Sequence, residues 1–195
     1  RLGISRISPN GQPELWARTG APRGHAILAD GTHVISDVSQ RAILKLNQQG
    51  YVIEKLAVKS DGYFLRAPHD VVVDAEGGVY FADPGYARIR NPIGQLHYVS
   101  ANGKVNLVAQ KLAFPEGLAL SPDGSRLYVV ESQTNQILSF DIMTPGRVGP
   151  KKVLATIKNE SSDNSEGSLA GLCVDDRGRL YVAHQDATRI EVLDS

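Results

Sequence analysis

Residues 69–83 read HDVVVDAEGGVYFAD and residues 116–132 read EGLALSPDGSRLYVVES, and the two can be laid over one another. Each is an apolar run, a charged residue followed by Gly, and a second run rich in β-branched and aromatic residues. The pattern predicts a hairpin of two buried strands, with Gly supplying the positive φ of the turn. Residues 24–37 (GHAILADGTHVISD) and 170–184 (AGLCVDDRGRLYVAH) repeat it, with turns at Asp30-Gly31, Glu76-Gly77, Asp123-Gly124 and Arg177-Gly178.

Counting back seven residues from each turn gives the column Arg23, His69, Glu116 and Ala170, spaced by 46, 47 and 54 residues. That period belongs to the blades of a β-propeller. Third strands follow as AILKL, GQLHYV, QILSFD and RIEVLD, and fourth strands as YVIEKLAV, KVNLVA and KKVLAT. The expected fold is all-β: four-stranded antiparallel blades in one domain over 1–195, with a partial blade at 1–19, blades at 23–59, 69–110 and 116–157, and a partial blade at 170–194. That makes 17 strands, against about 24 in a closed six-bladed ring. The chain therefore reads as four to five blades, completed by further residues of a longer chain or by association with a second one.

Composition narrows the function classes. The 21 basic and 21 acidic residues cancel, and no basic stripe favours nucleic acid. No apolar run is long enough for a membrane helix. A single cysteine, Cys173, cannot pair within the chain, which favours a reducing, cytoplasmic setting; its apolar neighbours Leu172 and Val174 predict a buried thiol. The chain starts at Arg1 and has no signal-peptide core, so an absent leader leaves localisation open. The polar stretch 157–169 is expected to be a surface connector. No nucleophile elbow, phosphate loop, dinucleotide fingerprint or paired-cysteine motif is present.

Three segments, APHDVVVDAEGGVYFADPGYA (67–87), FPEGLALSPDGSRLYVVESQTNQILSFD (114–141) and, more loosely, SLAGLCVDDRGRLYVAH (168–184), carry a resemblance. They are similar to blade elements of the gluconolactonase and senescence-marker-protein (regucalcin) family. The resemblance implies a lactone-hydrolysing propeller with a small-molecule substrate and a divalent metal, Ca or Zn, Mg or Mn, at the top of the tunnel. It places Glu116 where the family has a metal-binding asparagine, His69 where it has a substrate-holding asparagine, and Ala170 where it has a metal-binding aspartate.

Each column residue opens the innermost strand of its blade, so Arg23, His69, Asp70 and Glu116 are expected around one axial pocket. His69 and Asp70 are the candidate proton-handling pair, with His69 also a possible metal ligand. Glu116 is the candidate metal carboxylate, and Arg23 and Tyr86 are candidate substrate contacts. Ala170 cannot bind a metal, which keeps open a binding propeller without chemistry. His69 as a base keeps open an elimination like that of virginiamycin B lyase. A second column, Asp37, Asp83, Glu131 and His184, is expected to stabilise turns between blades.

Overall fold

Every Gly-centred repeat folds as the predicted hairpin. In the computed structural model, which describes residues 3–158 and 167–194, the four turn glycines have φ between +69° and +86°. Successive sheets are arranged as a β-propeller. The first comprises β1 (Gly3–Ile7) and β2 (Pro13–Arg18); the second β3 (Pro22–Ile27), β4 (His33–Asp37), β5 (Ala42–Leu46) and β6 (Val52–Ala57). A small hairpin, β7 (Lys59–Ser60) and β8 (Tyr63–Phe64), precedes the third sheet of β9 (Val71–Val73), β10 (Val79–Asp83), β11 (Gly94–Val99) and β12 (Val105–Leu112). The fourth comprises β13 (Pro115–Leu120), β14 (Arg126–Glu131) and β15 (Gln136–Thr144), with β16 (Arg147–Val148) and β17 (Lys152–Thr156) both on β15. The last comprises β18 (Leu169–Val174), β19 (Leu180–His184) and β20 (Arg189–Leu193). The innermost strands β3, β9, β13 and β18 lie beside one another in that order. The hairpin β7–β8 and the short β16 are additions to the strands read from the sequence.

The core consists of layers between neighbouring blades. Alternate side chains of a strand face opposite ways, and the second strand of each blade serves two layers at once. Tyr80 and Ala82 pack with Leu118, Leu127 and Val129 of the fourth blade, while Phe81 between them packs with Val34 and Ile43 of the second. Tyr128 and Val130 in turn join Leu169, Leu180 and Val182 of the last blade. This explains why those strands read as unbroken apolar runs: both faces are covered.

The second column does clasp the connections between blades at three of its four positions. Asp37 accepts from the N–H groups of Gly20 (2.6 Å) and Ala21 (3.1 Å), and Asp83 from those of Arg66 (2.8 Å) and Ala67 (2.7 Å). The Glu131 carboxylate accepts from Ala113 N–H at 2.9 Å. His184 departs from the pattern: its Nδ1 meets Glu191 Oε1 at 2.7 Å, inside its own blade. Cys173 is also a correction, because it is exposed. Leu172 and Val174 turn into the layer shared with the fourth blade, so Cys173 faces the other way, where no blade packs among the described residues. Most of the polar connector, residues 159–166, lies outside the described residues. Among those described, no helix is long and apolar enough to cross a membrane.

Candidate functional site

The innermost strands are stitched to one another where the column residues sit. Gly24 N–H donates to the His69 carbonyl at 2.7 Å, and the Ser36 hydroxyl donates to the same oxygen, also at 2.7 Å. Asp70 reaches the other way, its Oδ2 accepting from Leu118 N–H at 2.8 Å while Oδ1 accepts from Val71 N–H at 2.9 Å. Second, third and fourth blades are thus pinned together within two residues of Arg23, His69 and Glu116. The approach is so close that a Cβ on Gly24 would stand 2.4 Å from Asp70 Oδ1 and 2.6 Å from its Cα, which explains the glycine beside Arg23.

Arg23, His69, Asp70 and Glu116 line one axial cavity of about 250 Å³, whose remaining walls are Gly24, Gly117 and Gly171. These four predicted residues are brought together. Tyr86 is not among the lining residues and is 80 % exposed, in the turn that follows the second strand. Ala170 is buried on β18, and its neighbour Gly171 meets the cavity instead.

Two residues escaped the sequence reading. Ser132, 4 % exposed, stands near the Glu116 side chain and works against the rise of its carboxyl. Phe114, in the FPEG turn, has a left-handed backbone (φ +66°) and sets its ring edge-on to His69 at 5.9 Å. A bulky residue in that region is strained, and such strain gathers beside functional sites. Only the tertiary contacts reveal either role.

Burial governs the charge state of the site. It pushes the His69 imidazole down to about 4, helped by the Arg23 guanidinium, so the ring is neutral at neutral pH. Burial raises Glu116, against the Ser132 hydroxyl and the positive charge of Arg23, while nearby Asp70 adds to the rise. Asp70 is raised by burial as well, and its two N–H donors pull it partly back. The cavity therefore presents a neutral imidazole, a carboxylate of raised basicity and a permanent cation.

This donor set does not by itself fit a resident divalent ion. Calcium takes six to eight oxygens. Here Glu116 offers a carboxylate, Asp70 is engaged by main-chain N–H groups, the aspartate expected at position 170 is alanine, and Arg23 adds positive charge. Among the described residues no three His, Cys, Asp or Glu side chains could hold a metal ion.

Residues 2–195 match the family model described as the SMP-30/Gluconolactonase/LRE-like region. The chain belongs to that family. It is 28 % identical over 195 residues to the gluconolactonase of Zymomonas mobilis subsp. mobilis (91 % of this chain, 54 % of that protein). To the diisopropyl-fluorophosphatase of Loligo vulgaris it is 26 % identical over 194 residues (93 % of this chain, 60 % of that protein). The fold is similar to a solved gluconolactonase of Xanthomonas campestris, with a TM-score of 0.79 at 20 % identity over 98 % of this chain and 68 % of that one. The chain thus spans little more than half the length of the curated relatives it matches.

Buried histidines should also make the fold of this family member acid-sensitive. His69 and His97 both sit near 4 when folded, chiefly through burial, whereas an unfolded histidine titrates near 6.5. Between those values the unfolded chain holds more protons, so stability present above about pH 6.5 is lost as pH falls toward 4. The urea midpoint is expected to drop between pH 7.5 and 5, with a shallower drop in His97→Gln. A flat profile would contradict this. The raised carboxyls of Asp70 and Glu116 act in the opposite sense, strengthening the fold as pH falls through their raised values.

Proposed function

We propose that the axial cavity hydrolyses a lactone or related small ester. The reading rests on one observation: in a propeller of the gluconolactonase family, Arg23, His69, Asp70 and Glu116 converge from successive blades on one cavity. In this reading the guanidinium of Arg23 hydrogen-bonds the substrate carbonyl and stabilises the oxyanion. Glu116 takes a proton from the attacking water, a task its raised pKa suits. The new C–O bond forms as the ring C–O bond breaks, and the proton passes to the leaving alkoxide to give a hydroxy acid. Neutral His69 holds a substrate oxygen by hydrogen bonding, and Asp70 fixes the strands that carry the other three.

In this reading Glu116 takes the base role that the sequence suggested for His69 and Asp70, since burial lowers the basicity of the imidazole and raises that of the carboxylate. An elimination driven by His69 loses support on the same ground. The full-length protein is expected to release acid, measured by pH-stat, from at least one member of a panel of aldono-, γ- and δ-lactones. Silence across the panel, with and without added Ca, Mg, Mn and Zn, would overturn the reading.

A second reading, a propeller that binds ligand without turnover, is favoured by Ala170 at a position where the resemblance implies a metal ligand. Protection of the fold by a hydroxy acid, in the absence of acid release from any lactone, would select it.

A further inference from the structure

A second cleft, sharing no residue with the axial cavity, opens between the β7–β8 hairpin and the third blade. It encloses about 190 Å³, room for about six waters or one small polyol in their place. Its polar wall comprises Asp61, Arg66, Asp83, Gln95, His97 and Gln110.

The hairpin is built to hold an aromatic ring at the rim. Asp61 (φ +49°) and Gly62 (φ +84°) have the two positive φ values of a type I′ turn. Ser60 and Tyr63 are direct cross-strand partners and so share one face of the hairpin. That face is turned to the cleft, because Ser60 Oγ lies 3.0 Å from His97 Nδ1. Tyr63 therefore stands at the mouth, 80 % exposed. Such exposure contributes little to the core.

His97 is the second mark of a site. It is 3 % exposed, stacked on Phe81 at 5.1 Å, and its Nε2 has no hydrogen-bond partner among the described residues. An unpaired buried polar atom is costly and is relieved by a ligand or water group. Asp83 is engaged by the N–H groups of Arg66 and Ala67, and Arg66 turns Nη1 to the Ile93 carbonyl at 2.7 Å. What is left for a ligand is two neutral amides, the acceptor Asp61 and an aromatic face. That set suits a molecule with hydroxyls at its edges and C–H groups on its flat side.

We propose that this cleft binds a neutral polyhydroxylated molecule, a sugar or cyclic polyol, stacked on Tyr63 and hydrogen-bonded by Gln95, Gln110 and Asp61. Saturation-transfer NMR on the full-length protein with glucose and myo-inositol tests it. Transfer to at least one of them is expected, reduced fivefold or more in Tyr63→Ala and in Gln110→Ala and retained in Glu116→Gln. Tyr63→Ala removes a mostly exposed ring and should leave the fold and lactone hydrolysis intact. No transfer to either probe would overturn the proposal. So would transfer that both cleft variants leave intact.

Discussion

Replacing Glu116 by Gln is expected to lower kcat/KM for lactone hydrolysis by about 10²–10⁴-fold, the usual contribution of a positioned general base. The substitution is nearly isosteric, and the amide oxygen remains an acceptor beside Ser132. What disappears is the proton acceptor. KM should change little, since Arg23 and His69 still hold the substrate, and the loss should fall on kcat. The wild-type profile should also lose activity in acid as Glu116 protonates, with its midpoint above the ordinary glutamate value because burial raises it. Steady-state titration of Glu116→Gln and Glu116→Asp decides the matter, and a variant within threefold of wild type would remove Glu116 from the chemistry.

Asp83→Ala should produce the largest loss of stability, about 2–6 kcal/mol, from two donors left without an acceptor at about 1–3 kcal/mol each. Asp83 is 1 % exposed, and its two oxygens separately accept from Arg66 and Ala67 N–H, on the segment that leads from the second blade to the third. Asp83→Asn keeps one accepting oxygen and should cost roughly half as much. Urea midpoints of the two variants against wild type provide the measurement. Equal midpoints for wild type and Asp83→Ala would mean that water replaces the carboxylate without penalty.

Much of the fold was legible because its signals are local. The Gly of each hairpin turn, the unbroken apolar second strands and the 46- to 54-residue column spacing each follow from a short stretch. The same spacing led to Arg23, His69 and Glu116, since each stands at the same register in its blade. The β7–β8 hairpin was missed because its strands are two residues each, too short for any alternation, although Asp61-Gly62 is a turn signal. Cys173 was misjudged because an apolar neighbourhood in sequence cannot tell which face of a strand is covered. Ser132 and Phe114 were invisible for a different reason: a hydroxyl near Glu116 and a ring set against His69 are products of tertiary packing. The charge state of His69 belongs to the same class, since burial sets it.

The layered core has a consequence for how the molecule comes apart. No layer is shared by all blades; each joins one neighbour to the next, as Phe81 and Tyr80 do on opposite faces of one strand. Such an array should behave as a line of nearest-neighbour couplings rather than a single cooperative block. Amide exchange in deuterium would then be slow in β10 and β14, which are flanked on both sides. The axial cavity draws one residue from each of several links in that line, so loosening any single link would blunt the site before the rest of the array gives way.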